Sequence, residues 1–351
     1  MSGSAPGIDF ERLTPWFRAN VASVDELRAE IIGHGRSNLT YRIQGDGKSW
    51  VLRRPPLSHV QPTAHDMKRE FRVISALAAT DVPVPGTVAL CEDTTVNDAP
   101  FYIMEYVEGF VPADSAEFAR RFDEVQRRRT ADQLIDILVH LHSVVPAEVG
   151  LGDFGKPEGY LERQVRRFSE QLTRVKTREV PDFEELARRL AAALPTQSGS
   201  GIVHGDYRLD NCILDKEGRI VAVLDWEMAT LGDPLADVGL LMMYWADPGA
   251  GGGLAAPGIA STAVTALPGF LTRQEVLARY SERSGRDLSH LDFYTVLAHF
   301  KLAVILENMH ARFLAGGTVG SGFEVIGQNA LLLASRGLEV ANRSSVAALR
   351  G

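Results

Sequence analysis

Along the first third of the chain, short apolar runs are punctuated by turn residues. Beyond residue 109 the apolar positions fall instead at helical spacing. Residues 9–20 read as a short amphipathic helix. Residues 27–32 and 37–44 read as strands flanking the glycine-rich turn Gly33-His-Gly35-Arg36. Gly45-Asp46-Gly47 is a hairpin signal leading into a third strand, 49–54, which Pro55-Pro56 stops. A helical period follows over 62–79. Strands over 88–92 and 101–106 are separated by the polar stretch 93–99, predicted to be a loop. In the remainder, Leu134, Ile137, Leu138 and Leu141 share one face of a helix predicted over 130–144. Further helices are expected over 161–176, 183–194, 271–284 and 291–314. Residues 202–226 are strand-like, and the Gly-, Ala- and Pro-rich stretch 247–269 reads as a long mobile loop. The pattern is therefore β-β-β-α-β-β followed by a mainly helical region.

Length and charge change this picture little. With 351 residues the chain fits one large domain or two lobes. The net charge of −8 argues against general nucleic-acid binding. No apolar run reaches the roughly 18 residues of a membrane span. Two cysteines, Cys91 and Cys212, are too few for a disulfide framework or a zinc cluster. The N-terminus lacks the pattern of a signal peptide, so a cytoplasmic setting is expected. Oligomeric state is left open.

The densest polar chemistry lies in His204-Gly-Asp206-Tyr-Arg208-Leu-Asp-Asn211 and, beyond two β-type runs and the turn Lys216-Glu-Gly218, in Asp225-Trp-Glu227. A hairpin there would bring Asp206, Asn211 and Asp225 towards one end. Singly, such residues are ordinary turn and cap residues. Together, an Asp followed five residues later by Asn and then by a further Asp matches the spacing of a kinase catalytic loop and metal-binding Asp. Oxygen donors of this kind suit Mg²⁺.

These motifs resemble those of the aminoglycoside phosphotransferase and choline kinase-like family. More narrowly, His-Gly-Asp-Tyr-Arg-Leu-x-Asn and Leu-Asp-Trp-Glu-x-Ala-x-Leu-Gly-Asp-Pro are similar to the kinase-like domains fused to some acyl-CoA dehydrogenases. The resemblance runs from about residue 31 to 313. It implies an α+β, bilobal, protein-kinase-like fold. Residues 1–107 would form a small β-rich nucleotide-binding lobe with one main helix, and 108–351 a larger, mostly helical catalytic and substrate-binding lobe. It also implies an ATP- and Mg²⁺-dependent kinase acting on a hydroxyl of a small-molecule acceptor. Asp206 would accept or orient the acceptor's proton, with Arg208 facing the transferred phosphate. Asn211 and Asp225 would hold Mg²⁺, Glu227 would assist the metal, touch the substrate or serve as a structural carboxylate, and His204 would brace the loop.

The small lobe would supply the nucleotide grip. Gly33, Gly35, Ser37 and Asn38 lie in the turn where backbone can approach phosphates. The family places a Lys on the third strand, whereas this chain has Arg53. That keeps the charge but changes its reach. Glu70 shares an apolar helix face with Met67, Ile74 and Leu77, and burial there calls for a cation, for which Arg53 is the candidate. The segment 101–109 resembles an interlobe hinge, with the backbone of Glu105 and Val107 facing adenine.

For the acceptor, residues 1–107 carry net −2 and the remainder net −6, nearly in proportion to length, so no acidic concentration marks a polycationic substrate. The narrower resemblance implies a hydroxyacyl compound or hydroxyacyl-CoA. Arg163, Arg166, Arg167, Arg174, Lys176 and Arg178 form a basic stretch that is either a solvated helix face or a receiver for an anionic substrate tail. Tyr244 and Trp245 adjoin the 247–269 stretch, a candidate cover for the acceptor. An aminoglycoside or amino-alcohol kinase and an inactive kinase-shaped nucleotide-binding module are the alternatives.

Overall fold

The computed structural model describes residues 5–32, 38–57, 66–250, 261–316 and 323–351. The chain divides into two compact units, Met1–Gly109 with Val221–Ala229, and Phe110–Ile220 with Thr230–Gly351. The return of 221–229 to the first unit is not visible in the hydrophobic pattern.

In the first unit, helix α1 (Phe10–Asn20) is capped by Asp9, whose carboxylate accepts the Arg12 N–H. Strands β1 (Arg28–Ile31), β2 (Leu39–Gly45) and β3 (Lys48–Arg54) precede helix α2 (Met67–Leu77). Strand β4 (Thr87–Cys91), helix α3 (Thr94–Asn97) and strand β5 (Phe101–Glu105) complete the unit's main elements. The polar stretch 93–99 thus contains a helical turn, because Asp93 caps it by accepting the Thr95 N–H. The five strands form one antiparallel sheet in the order β1-β2-β3-β5-β4. Asp46 and Gly47 both have positive φ (49° and 75°), the geometry of a two-residue hairpin turn. Alternation puts Tyr41, Ile43, Trp50 and Leu52 into a core shared with Leu13 and Phe17 of α1. The same alternation puts Arg53 on the opposite face, in register with Thr40 and Tyr102.

The second unit is mostly helical. Helices α4 (Ser115–Arg121), α5 (Glu124–Ser143), α6 (Tyr160–Val175) and α7 (Pro181–Ala192) precede strand β6 (Gly201–Val203). Helix α5 starts six residues before its expected start. Asp123 and Gln126 form a reciprocal capping box ahead of the apolar stripe. Strand β7 (Cys212–Leu214) and a turn lead to β8 (Ile220–Val223), which carries the chain into the first unit. Strand β9 (Thr230–Gly232) pairs antiparallel with β6. Then come α8 (Leu235–Tyr244), α9 (Ser261–Thr265), α10 (Arg273–Ser284), α11 (Leu291–Leu314), α12 (Ile326–Arg343) and α13 (Ala347–Arg350).

Helix α8 is apolar apart from Asp237, and its Gly239 lets the helix approach the backbone of Tyr294 on α11 closely. The expected 247–269 loop is in part the helix α9. Its far end is tied down by Ala246 N–H donating to Thr265 Oγ1 at 3.0 Å. Residues 251–260 lie outside the described residues.

Candidate functional site

The polar chemistry forms one cluster in each unit. In the first unit the centre is Arg53, with only 12% of its side chain exposed. Its Nε lies 3.0 Å from Glu70 Oε1. Its Nη2 bonds the Asp225 carboxylate and lies 3.6 Å from Glu227 Oε2. The pairing with Glu70 follows the sequence reading. The reach to Asp225 comes from the two-pronged guanidinium, which one ammonium could not reproduce.

Asn38 is buried, and its amide donates to Glu227 Oε2 at 2.9 Å and Glu70 Oε2 at 3.4 Å. Its side chain therefore links two carboxylates of this cluster. Gly33, Gly35 and Ser37 lie outside the described residues. Burial pushes the Glu70 carboxyl up to about 7 against the pull of Arg53, and Asp225 and Glu227 add to the rise. Burial alone would depress the Arg53 guanidinium, but Glu70, Asp225 and Glu227 outweigh it and hold it protonated.

Segment 221–229 reaches this cluster through specific anchors. Val223 N–H donates to the Pro83 carbonyl at 2.8 Å, and Arg69 Nη2 to the Ala229 carbonyl at 3.1 Å. Trp226 is buried, its Nε1–H donating to the Val223 carbonyl. Between them Asp225 takes left-handed backbone, φ +65°, which Asp tolerates better than most residues. Its carboxylate stays about a third exposed. At the hinge-like segment, Glu105 N–H donates to the Gly86 carbonyl at 2.7 Å. Of that residue's backbone, only the carbonyl can be offered to a base. Val107 lies in irregular backbone just past β5.

In the second unit the loop after β6 is pinned by one buried carboxylate. Asp237 accepts the N–H of His204 at 2.7 Å and of Gly205 at 2.8 Å. His142 Nε2 donates to the same carboxylate at 3.2 Å, while its Nδ1 accepts from the Tyr280 hydroxyl at 2.8 Å, the pattern of a neutral imidazole. Burial depresses the His142 pKa accordingly. Burial alone would raise Asp237; the His142 hydrogen bond, with the Gly205 N–H, reverses that.

His204 is itself buried. Its Nδ1 accepts the Asp206 N–H at 3.2 Å, the bracing role expected of it. Asn211 donates from Nδ2 to both the Asp206 carbonyl (2.8 Å) and Asp206 Oδ2 (2.9 Å). The Asn211 amide oxygen is thereby oriented as the remaining donor atom. Asp206 keeps 27% of its side chain exposed. Arg208 lies between two carboxylates, with Nε 3.4 Å from Asp206 Oδ2 and Nη1 3.0 Å from Asp210 Oδ2. Its guanidinium sits 5.1 Å from the Tyr244 ring centroid. That arrangement fixes Arg208 as a neighbour of Asp206.

The sequence reading missed His142 and Tyr280. His142 follows Leu134 and Leu138 at four-residue spacing, so a histidine on the apolar stripe of α5 was the available signal. The basic stretch divides. Arg178 pairs with the fully buried Glu307 (2.7 Å), Lys176 with Glu184 (2.6 Å), and Arg163 caps the carbonyls of Lys156 and Glu158. Those three are structural. Arg166, Arg167 and Arg174 remain exposed. Tyr244 and Trp245 are buried, Trp245 Nε1–H donating to the Leu271 carbonyl at 2.8 Å.

A model of the phosphotransferase enzyme family (APH) matches residues 28–269. The chain is similar to acyl-CoA dehydrogenase family member 10 of Mus musculus, 36% identical over 285 residues, which are 81% of this chain and 26% of that protein. It is similar to family member 11 of Gallus gallus, 32% identical over 323 residues, 90% of this chain and 40% of that protein. The chain thus spans about a quarter to two-fifths of the length of these curated relatives. Among solved structures, a Ralstonia eutropha JMP134 protein assigned to the aminoglycoside phosphotransferases is 33% identical with TM-score 0.80, covering 96% of this chain and 99% of that one. A thermostable mutant of aminoglycoside phosphotransferase APH(4)-Ia, in ternary complex with AMP-PNP and hygromycin B, is 15% identical with TM-score 0.62 over 95% of this chain and 99% of that one. At that identity it shares the fold alone.

Proposed function

Because the chain belongs to the phosphotransferase enzyme family and has the kinase-like α+β fold expected of it, we propose that it transfers the γ-phosphate of ATP to a hydroxyl of a small-molecule acceptor. The observation that carries this reading is the fixed state of Asp206. His204 holds its N–H, the Asn211 amide holds its carbonyl and one carboxylate oxygen, and the side chain still reaches solvent. A carboxylate so held can accept the acceptor hydroxyl's proton at Oδ1 or Oδ2 while the oxygen attacks phosphorus.

Asn211 and Asp225 each carry an oxygen of the kind that Mg²⁺ accepts. The Asn211 amide oxygen and the Asp225 carboxylate are hard oxygen donors, and Asp225 is part-exposed. These two residues would hold the ion, which when bound draws charge from the nucleotide phosphates. Arg53, held by Glu70, would add a fixed positive charge on the nucleotide side. Arg208 would position Asp206 through the contact between them. Glu227, tied to Asn38 and Arg53, belongs to the support of Asp225. The Glu105 carbonyl and Val107 would meet the adenine, and the turn containing Gly33, Gly35 and Ser37 the phosphates. In this reading residues 1–107 serve as the nucleotide-binding lobe and 108–351 as the catalytic lobe.

The acceptor we favour is a hydroxyacyl compound or its CoA thioester. The similarity to acyl-CoA dehydrogenase family members 10 and 11 supports this, and the evenly spread acidic charge gives no support to a polycation. The test is ADP release with Mg²⁺ across hydroxyacyl-CoAs, aminoglycosides and choline, for wild type and Asp206→Asn. Turnover with one acceptor class that falls by roughly 10²- to 10⁴-fold in Asp206→Asn is expected. Equal background turnover in both proteins with every acceptor would sink the enzyme reading in favour of a nucleotide-binding module.

A further inference from the structure

Two basic side chains in the second unit share one aromatic ring. Arg167 on α6 places its guanidinium carbon 5.8 Å from the Phe168 ring centroid, and Lys301 on α11 places Nζ 5.6 Å from the same centroid. Among the described residues neither has a carboxylate within ion-pair distance. By contrast, Arg178, Lys176 and Arg166 nearby on the chain each have one. Lys301 is partly buried, and burial depresses its ammonium, with Arg167 pushing the same way and Asp237 and Asp206 opposing. A ring face holds a cation more weakly than a carboxylate does. Two cations around one ring, one of them partly desolvated, therefore form a site that an anion would relieve.

Lys301 ties this site to the Asp206 loop. Lys301 lines a cavity of about 10 Å³ together with Gly205, Asp237, Tyr160 and Tyr294. That volume admits about one water-sized atom and excludes a bulky organic group. Gly205 immediately precedes Asp206.

We propose that Arg167 and Lys301, set on Phe168, form an anion-binding subsite that receives a carboxylate or phosphate oxygen of the acceptor and orients its hydroxyl towards Asp206. The orienting role rests on the kinase reading above; the anion site does not. The subsite selects against cationic acceptors, because an ammonium placed there would meet two like charges.

The test is isothermal calorimetry on the full chain with three probes: 3-hydroxybutyrate for a carboxylate source, 3-hydroxybutyryl-CoA for a phosphate source, and choline as a cation control. Proteins are wild type, Arg167→Gln, Lys301→Met and the charge-keeping Lys301→Arg, with ATP binding measured on each. At least one anionic probe should bind wild type. It should bind roughly tenfold more weakly to Arg167→Gln and Lys301→Met, with recovery in Lys301→Arg, unchanged ATP affinity and no choline binding. Whichever anion shows the loss identifies the source. Anion affinities unaltered in Arg167→Gln and Lys301→Met, or no binding of either anion to wild type, would overturn the subsite. Loss of anion binding in the variants without any phosphotransfer in wild type would keep the subsite and refute the kinase reading.

Discussion

Replacing Arg53 tests how the first unit tolerates three carboxylates gathered in one place. Arg53→Met takes away the guanidinium that Glu70 (2% exposed), Asp225 and Glu227 share, while the Asn38 amide still bridges Glu70 and Glu227. Stranding a buried charge in this way costs about 3–5 kcal/mol. Arg53→Lys keeps one positive charge but can serve Glu70 or Asp225, not both. Losing one charge-assisted hydrogen bond costs about 1.5–3 kcal/mol. Adding Glu70→Leu to Arg53→Met removes the stranded carboxylate, and most of the loss should return, since deleting both partners of a buried pair is often near neutral. Urea unfolding at pH 7.5 on the four proteins reads these differences as midpoint shifts. If Glu70→Leu destabilises Arg53→Met further, or Arg53→Met unfolds at the wild-type midpoint, the cluster is not held by this ion pair and the argument fails.

Two further outcomes follow from packing and titration in the second unit. His299 is buried with Nδ1 2.8 Å from the Thr295 carbonyl, and burial lowers its pKa from 6.5 to about 4. The unfolded chain therefore binds its proton first. Stability should fall by up to about 3 kcal/mol as pH drops from 6.5 to 4 and be insensitive to this group above 6.5; a His299→Gln variant whose urea midpoint changes with pH as steeply as wild type over that range would contradict this. Gly239→Ala should destabilise by about 2–3 kcal/mol, because its Cβ would lie 2.5 Å from the Tyr294 carbonyl carbon and backbone cannot swing aside. An unchanged melting temperature for Gly239→Ala would mean that α8 and α11 are not in such close contact.

Much of this was legible because it is local. The hairpin at Asp46-Gly47 and the helix 291–314 are written in turn chemistry and period, and the structure has both. Glu70 was identifiable as a partner for Arg53 because a carboxylate on an apolar helix face needs a cation. The longer-range features were hidden for physical reasons. Nothing in Arg53's neighbourhood in sequence shows that its second prong reaches Asp225, 172 residues away. Helix α9 was lost inside a Gly- and Ala-rich stretch whose composition signals a loop, although Thr265 is anchored in tertiary contact. Arg163, Lys176 and Arg178 read as one basic patch because charge is visible in sequence while its neutralisation by Glu307, Glu184 and backbone carbonyls is not.

The first unit is assembled from two stretches of chain separated by more than a hundred residues, and that has a consequence for how it can be made. Asp225 and Glu227 are synthesised long after Arg53, Glu70 and Asn38, which they complete. During synthesis the guanidinium must wait for its later partners with only Glu70 and the sheet around it. A fragment ending at residue 109 would carry an Arg53–Glu70 pair without the two carboxylates that share its charge, and would lack Trp226 from its interior. Exchange of this unit between related chains therefore has to move both stretches together. The carboxylates and the arginine that answers them work as one piece, although the chain holds them far apart.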